Sequence, residues 1–177
     1  MRGPGYAPLW PRPASSTGTQ EIIAYNRSRA GLLCAAARDL PGIVLEGHST
    51  DYQSTEHLRQ LVEDGAAILK VGPALTFALR ECLFGLECIE RELLHDRPTE
   101  RLSGLSEALE RAMLADPAHW RSYYKGGEPE LRLARRFSLS DRSRYYWTVP
   151  AVSAAVGPLL ATLSKTGVAR GGLWCEP

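Results

Sequence analysis

Apolar and polar residues change their spacing several times along this chain, and each change marks a predicted element. From residue 21 the apolar positions recur near one face of a helix, which Pro41-Gly42 ends. Residues 43–45 are a short apolar run typical of a buried parallel strand, and residues 66–71 are a second one. The predicted face of the first helix consists of Ile22, Tyr25, Leu32, Leu33, Ala36 and Ala37.

The segment between the two predicted strands carries clear helix boundaries. Ser54 is placed to cap a helix that runs to Asp64, and Gly65 stands directly after it, where glycine commonly ends helices. A strand, a helix and a second apolar strand form a right-handed βαβ crossover. We therefore expect a parallel pair of strands joined by this helix.

A long third helix follows the second strand and continues until Pro98. Its apolar residues recur at steps of three and four, while Arg80, Glu87 and Arg91 lie elsewhere on the helical wheel. The pattern predicts that the apolar face is buried and that these charged residues are not. The predicted face consists of Leu75, Leu79, Cys82, Leu83, Leu86, Ile89 and Leu93.

The remaining chain predicts a helical extension. Leu102, Leu105, Leu109 and Met113 have helical spacing, and Asp116-Pro117 is typical of an N-cap with a first-turn proline. Residues 138–141 resemble a capping box before a helix at 142–147. A mainly apolar helix at 149–163 comes last.

Two apolar strands cannot form a complete sheet, because both faces need cover and both edges need neighbours. The chain supplies helices but no further strands, so we expect it to be part of a larger α/β domain. Residues 1–19 are rich in proline and are interpreted as a disordered or foreign leader. Residues 20–96 hold the strands, 97–165 the helical extension, and 166–177 an irregular tail.

The composition excludes some classes of function. Hydrophobic residues make up 44% and charged residues 23%, as in soluble globular proteins. The net charge is +1, so no basic excess indicates nucleic acid or an anionic membrane as a partner. No apolar run reaches the ~20 residues of a membrane span, and no signal core begins the chain. Cys34, Cys82, Cys88 and Cys175 lack CxxC spacing, and we expect buried free thiols in the cytoplasm.

Polar residues gather where the two predicted strands end. His48-Ser49-Thr50-Asp51 could bind a phosphate or a sugar hydroxyl, or could form a turn that satisfies its own backbone. Lys70 could meet a phosphate or form a Schiff base, or could pair with Glu46 on the neighbouring strand. Gly72 permits close approach to a ligand, or simply makes the tight turn.

Other candidate sites are weaker. The histidines away from the strand ends are scattered on helix faces, and one ligand at His48 does not hold zinc, so we expect no metal site and no cofactor. Aromatic and arginine side chains that could stack on bases cluster at 142–147. With a balanced charge, helix packing or a subunit contact is favoured over nucleic-acid binding. The residues in question are Arg142, Arg144, Tyr145, Tyr146 and Trp147.

Three strings stand in order along the chain: HSTDYQ at 48–53, LVEDGAAILKVGPALTFALRE at 61–81 and SLSDRSRYYW at 138–147. Glu46-Gly47 precedes the first, and Tyr123-Tyr124 precedes the last. Together they resemble the family of D-tagatose-1,6-bisphosphate aldolase non-catalytic subunits, also called Z-type or chaperone-like subunits. The resemblance runs from about Thr19 to Lys165 and covers the C-terminal half of the family pattern only.

The resemblance implies a TIM (β/α)8 barrel related to class II aldolases, followed by a helical C-terminal extension. Residues 43–47 would be strand seven and 67–71 strand eight, whose following loops bind phosphate in many barrels. The segment for strands one to six is absent, and residues 168–177 replace the family's own end. We therefore expect a partial barrel from a truncated or frameshifted gene, or from an incomplete gene model.

The resemblance also bears on catalysis. Related catalytic subunits carry a metal site and a Lys-Val-Asn block near strand eight. This chain has Lys70-Val71-Gly72-Pro73 there, so the asparagine that would contact the ketose is missing. We expect no catalytic residues, and His48, Ser49, Thr50, Asp51, Lys70 and Gly72 remain candidates for phosphate or sugar binding.

Three hypotheses follow. The first is a non-catalytic subunit that stabilises the catalytic subunit of the aldolase in the cytoplasm, in degradation of galactitol, N-acetylgalactosamine or tagatose. The second is a sugar-phosphate enzyme in its own right, an aldolase or a tagatose-6-phosphate kinase, although the chain contains no nucleotide-binding motif. The third is a nonfunctional fragment, because half a barrel leaves strand edges and apolar faces open.

Overall fold

A computed structural model describes residues 22–97 and 99–165 of the chain. The predicted leader, the helix stop at Pro98, Cys175 and the predicted tail lie outside the described residues. The chain divides into two compact units, one ending at Ala74 and one beginning at Leu75. The predicted domain limits, which keep the third helix with the strands, stay a prediction.

The described residues form an α/β structure with six α-helices, two strands and two 3-10 helices. The first unit contains α1 (Arg27–Arg38), β1 (Leu45–His48), α2 (Thr55–Glu63) and β2 (Ala66–Lys70). Ala74 begins α3 (Ala74–Leu93), and the second unit continues with α4 (Leu105–Ala115), α5 (Glu128–Phe137) and α6 (Pro150–Lys165). The 3-10 helices span Pro117–His119 and Arg142–Tyr145. No helix in the described ranges has the length and apolar character needed to cross a membrane.

The crossover in the first unit confirms the sequence prediction. β1 and β2 pair in parallel, with Leu45 opposite Ala66 and an irregularity directly after that pair. The Ser54 side chain accepts a hydrogen bond from the backbone N–H of His57 at 3.2 Å, so it caps α2. Gly65 follows the helix with φ +105°, a conformation that glycine adopts without steric penalty.

The first strand lies later in the chain than predicted. It begins at Leu45 and ends at His48, while the apolar run at 43–45 mostly precedes it. Pairing with β2 sets these limits, because the first residue of β2 lies opposite Leu45. Val44 is 43% exposed and lies between the preceding turn and the strand, so Leu45 is the one buried strand residue of this short apolar run.

The first helix also differs from its prediction. It begins at Arg27, because the Asn26 side chain accepts a hydrogen bond from the backbone N–H of Arg29 and caps the helix there. Of the predicted apolar face only Tyr25 is buried, and it lies before the helix. Leu32 is 88% exposed, and the buried residue of α1 is Cys34.

The core of the second unit is formed by residues of α3, α4 and α6 and by aromatic residues of the segments that connect the helices. The Trp120 indole N–H donates to the backbone carbonyl of Met113 at 2.6 Å, and the Tyr146 hydroxyl donates to that of Asp116 at 2.5 Å. Both aromatic residues are therefore buried without losing a hydrogen bond. Other members of this core are Leu83, Leu105, Leu109, Met113, Val152 and Leu159.

The predicted burial of α3 is wrong for most of its length. Leu75 is 77% exposed and Leu79 is 50% exposed, whereas Arg80, Glu87 and Glu90 are buried beside Leu83. The charged residues are buried because the second unit supplies partners for them, as described below. Wheel position alone cannot show such partners.

Three features of the extension differ from the sequence pattern. The amphipathic helix α5, with proline in its first turn, was not predicted. Ser138 is the C-cap of α5 and does not open a capping box. Asp141, with φ +40°, precedes the second 3-10 helix without capping it. Leu102 lies before α4 and is 46% exposed.

Candidate functional site

The six predicted binding residues lie together at the carboxyl ends of the two parallel strands. His48 ends β1 and Lys70 ends β2, and the two residues are opposite each other in the register. Residues 49–51 form the loop after β1, and Gly72 stands between β2 and α3. This edge is the usual ligand position in parallel α/β sheets. The hydrogen bonds made there decide which groups remain free for a ligand.

Thr50 is committed to the backbone of the neighbouring strand. Its N–H donates to the carbonyl of Lys70 at 3.3 Å, and its hydroxyl donates to the same carbonyl at 3.2 Å. The residue is 5% exposed. Thr50 therefore extends the contact between the strands by one step beyond β1, and its hydroxyl is turned away from solvent.

Asp51 occupies the position where an external anion would be expected. Its carboxylate accepts hydrogen bonds from the N–H of Gly72 at 2.7 and 2.8 Å and from the N–H of Ala74 at 2.9 Å. Unpaired N–H groups at the start of a helix attract anions, and here the protein's own carboxylate satisfies them. A phosphate at this helix start would have to displace Asp51.

The size of residue 72 matters for the same contact. A Cβ added to Gly72 would lie 3.0 Å from Oδ2 of Asp51. The close approach that glycine permits is therefore an approach to Asp51.

The loop after β1 contains two strained residues. Ser49 has φ +57° and Tyr52 has φ +62°, a region that costs non-glycine residues about 1–2 kcal/mol each. Such conformations persist where the surroundings hold them in place, and they cluster at functional sites. Here the hydrogen bonds of Thr50 and Asp51 supply that restraint.

The predicted Glu46–Lys70 ion pair is replaced by a contact within β1. His48 Nε2 lies 3.1 Å from Glu46 Oε2, because residues two apart project on the same face of a strand. Lys70 and Ser49 are exposed and His48 is partly exposed. These three residues are the polar groups of the site that remain accessible to a ligand.

Gln53 was not singled out from the sequence, although it lies in the HSTDYQ string. Its side-chain carbonyl accepts from the N–H of Tyr25 at 2.9 Å, and its amide donates to the carbonyl of Ile23 at 2.8 Å. It thereby ties the segment before α1 to the loop. No local signal identifies this role, since the partners lie 28 and 30 residues away.

Asp64 fixes the other side of that segment. The Tyr25 hydroxyl donates to it at 2.7 Å, and Arg27 Nε donates to the same oxygen at 2.9 Å. Desolvation opposes ionisation of Asp64, but these two hydrogen bonds outweigh it and lower the pKa of Asp64. Burial and the bond to Asp64 raise the pKa of Tyr25 well above its usual range.

Two of the strings that carry the family resemblance meet in the second unit. Arg80, from the string at 61–81, donates through NH1 to Asp141 Oδ1 at 2.8 Å and to the carbonyl of Ser138 at 3.1 Å. Ser143 Oγ donates to the same Asp141 oxygen at 2.6 Å. Arg80 and Asp141 are both fully buried. The matched strings therefore correspond partly to a buried structural network.

Two further buried acids in α3 are paired with backbone groups. Glu90 accepts from the N–H and the hydroxyl of Ser103, and Glu87 accepts from the N–H of Ser106. These bonds fix the start of α4 against α3 and explain why charged residues face the interior.

Metal and thiol chemistry is limited in the described part of the chain. In residues 22–97 and 99–165, no three His, Cys, Asp or Glu side chains are placed to hold a metal ion. Cys34 is a buried free thiol, as expected, but Cys82 and Cys88 are exposed. The expectation was wrong for the latter two because the α3 face that carries them is not buried.

Comparison with known proteins shows similarity to one protein family and to solved structures. A family model described as D-tagatose-1,6-bisphosphate aldolase subunit GatZ/KbaZ-like matches residues 12–173. The crystal structure of a probable tagatose 6 phosphate kinase from Sinorhizobium meliloti 1021 is similar in fold, with a TM-score of 0.77 and 51% sequence identity. The match covers 86% of this chain and 38% of that one, so this chain spans well under half of its relative's length.

Proposed function

Because this chain belongs to the GatZ/KbaZ-like family of D-tagatose-1,6-bisphosphate aldolase subunits, we propose that it is a non-catalytic subunit. Its role would be to bind and stabilise the catalytic subunit of a class II aldolase. The pathway would be cytoplasmic carbohydrate catabolism of galactitol, N-acetylgalactosamine or tagatose.

The hydrogen bonds of Asp51 are the observation that carries this proposal beyond family membership. The most favourable anion position at the strand ends, the N–H groups of Gly72 and Ala74, is occupied by the Asp51 carboxylate. Thr50 is likewise committed to the carbonyl of Lys70. Residues that could have formed a catalytic site in this loop therefore serve its own structure, which suits a stabilising subunit.

The fold proposed for the complete assembly is a TIM barrel. The parallel pair β1–β2, with α2 between its strands, has the element order of one repeat of such a barrel. The helices after α3 would then be the extension that follows the barrel. The whole relative is more than twice as long as the matched region, so the remaining strands would be supplied by sequence outside this chain.

The test is a mixing experiment with the purified catalytic subunit. The aldolase activity that remains after heating is measured with and without this chain, using a protein of similar size and charge as the control. The proposal is supported if this chain stabilises the aldolase and the control protein does not. An inactivation temperature that does not change, at a chain concentration well above that of the enzyme, contradicts it.

A sugar-phosphate enzyme is the second candidate, because the similar crystal structure is called a probable tagatose 6 phosphate kinase. In that case the accessible His48, Ser49 and Lys70 would contact the phosphate or a sugar hydroxyl, with Asp51 displaced from the N–H groups it now occupies. Turnover of tagatose 6-phosphate with ATP, or of the bisphosphate alone, would support this candidate. It is excluded if no turnover is seen after zinc, magnesium and ATP have been supplied.

A further inference from the structure

An exposed cluster of stacked arginine and tyrosine side chains lies on the second unit. The Arg142 guanidinium carbon is 3.3 Å from the centroid of the Tyr123 ring, and that of Arg144 is 4.7 Å from the centroid of the Tyr145 ring. The His119 ring stacks on Tyr145 with centroids 4.7 Å apart. Both tyrosines are 43% exposed. We call these five residues the basic aromatic patch.

The patch is positively charged, and the described part of the chain does not neutralise it. The two segments that form it, residues 119–125 and 142–145, also contain Arg121 and Lys125 and no Asp or Glu. Among the described residues, no carboxylate lies within 4 Å of the guanidinium groups of Arg142 or Arg144. The buried arginines Arg80 and Arg135 differ in this respect, since both are paired with carboxylates.

The patch is held rigid by the fold. The N–H of Arg142 donates to the Tyr124 hydroxyl at 3.2 Å, and Arg144 NH1 donates to the carbonyl of Ser140 at 2.8 Å. Asp141, directly before the 3-10 helix, is anchored in the interior by Arg80. Little side-chain entropy remains to be lost on binding, and Tyr and Arg are the residues that most often dominate protein interfaces.

We propose that the basic aromatic patch is a docking surface for an acidic surface of the catalytic aldolase subunit. This inference rests on the proposed function and assigns the contact within it. Arg144 already donates through NH1 to the Ser140 carbonyl and through NH2 to the Tyr145 hydroxyl, whereas the Arg142 side chain donates no hydrogen bond among the described residues. The Arg142 guanidinium is therefore the group that can pair with a carboxylate of the partner. The balanced net charge of the chain favours a local protein contact over nucleic acid, which attracts strongly basic proteins.

The stacking geometry supports the same choice. Nucleobases would need open ring faces, but Arg142 already covers a face of Tyr123, and His119 and Arg144 cover Tyr145. A partner that contributes a carboxylate needs only the guanidinium group of Arg142, which makes no hydrogen bond among the described residues. The acidic protein surface is therefore the occupant that leaves the observed arrangement intact.

The experiment compares binding of the full chain and its variants to the purified catalytic subunit by isothermal titration. Arg142→Gln removes one charge without touching the backbone hydrogen bond to Tyr124, and we expect its affinity to fall about tenfold. Arg142→Lys keeps the charge and should recover part of the loss. Arg111→Gln, at an exposed position of α4, is the matched control and should bind as the wild type does.

Salt dependence provides a second readout that a structural effect would not move. When the salt concentration is raised from about 50 mM to about 500 mM, the affinity of the wild type for the catalytic subunit should fall, and that of Arg142→Gln should fall less. Equal thermal midpoints of the variants would show that folding is intact. Equal affinity of Arg142→Gln and wild type for the catalytic subunit would overturn the inference. A substitution that weakens binding of a single-stranded oligonucleotide, and leaves binding of the catalytic subunit unchanged, would overturn it as well.

The two proposals fail in different ways. If the wild-type chain neither binds nor stabilises the catalytic subunit, the proposed function fails and the docking surface fails with it. If the wild type binds and Arg142→Gln binds equally well, the proposed function stands and only the docking surface is overturned.

Discussion

Breaking the Arg80–Asp141 pair should strongly destabilise the second unit. The two groups are 2.8 Å apart, and both side chains are fully buried. Asp141→Asn keeps the shape of the side chain and tolerates the positive φ of this residue. It removes the buried counter-charge of Arg80 and leaves the exposed Glu81, 3.2 Å away, as the remaining carboxylate partner. Loss of one partner of such a pair costs about 3–5 kcal/mol. An asparagine Oδ1 can still accept from Ser143, and Arg80 keeps its contact with Glu81, so this variant lies toward the lower end of that range.

A substitution of Arg80, the other member of the pair, removes more contacts and leaves the negative charge of Asp141 in place of the positive one. Arg80→Met eliminates the bond to the Ser138 carbonyl and the stacking over Phe77, and it leaves the buried Asp141 carboxylate without a counter-charge. The double variant no longer buries a charge, so its loss should be much smaller than the sum of the two single losses. We expect a coupling energy of at least about 2 kcal/mol.

The assay is urea unfolding followed by tryptophan fluorescence. Trp120 and Trp147 lie in the second unit, so replacing Trp10 and Trp174 by Phe restricts the signal to that unit. With a slope of about 2 kcal/mol per molar urea, the single variants should lower the midpoint by about 1.5–2.5 M. Glu100→Gln is the control, since it breaks the exposed Arg97–Glu100 pair, which contributes about 0.5 kcal/mol at most.

Two results would refute the reasoning. A loss below about 1 kcal/mol in both single variants would mean that the pair is not buried as described. A decline without a cooperative transition in the parent chain would support the hypothesis of a nonfunctional fragment.

Three further predictions concern the first unit. Asp51→Ala removes the acceptor for the N–H groups of Gly72 and Ala74 and should lower the free energy of unfolding by about 2 kcal/mol, measured by circular dichroism in urea; an unchanged midpoint would argue against the cap. Gly72→Ala should destabilise the wild type through the 3.0 Å contact with Asp51 but not the Asp51→Ala variant, and equal losses in both backgrounds would show that the contact is unimportant. Because the pKa of Asp64 is lowered in the folded chain, its contribution is present above its ordinary value of 3.8 and is lost as the pH falls through the folded value. Asp64→Asn should therefore reduce the dependence of the urea midpoint on pH between about 5 and 2, and a slope equal to that of the wild type would contradict this role.

Local signals predicted the parts of the fold in which neighbouring residues satisfy one another. The Ser54 cap, the turn at Gly65 and the parallel crossover depend on contacts within a few residues or on apolar runs, and all three are present. The positions of the six candidate residues at the strand ends also follow from the order of the elements. Whether those residues bind phosphate or sugar stays a prediction.

Long-range contacts decided what the pattern could not. Asp51 was a candidate for binding sugar or phosphate. Only its distance to the N–H groups of residues 72 and 74 shows that its carboxylate binds the start of α3 within the same protein. Glu46 was matched with Lys70 on the neighbouring strand, but it lies against His48 because both project on one face of β1.

The sequence by itself determined the helices with strong caps, the βαβ connection and the family, because these depend on residue order and short-range chemistry. The tertiary structure alone decided which face of α3 is buried. Burying an apolar stripe is favourable wherever another part of the protein can pack against it. A charged side chain is buried only where a partner replaces its lost hydration. Arg80, Glu87 and Glu90 each have a partner outside α3, 13 to 61 residues away, and no periodicity within the helix could reveal these partners.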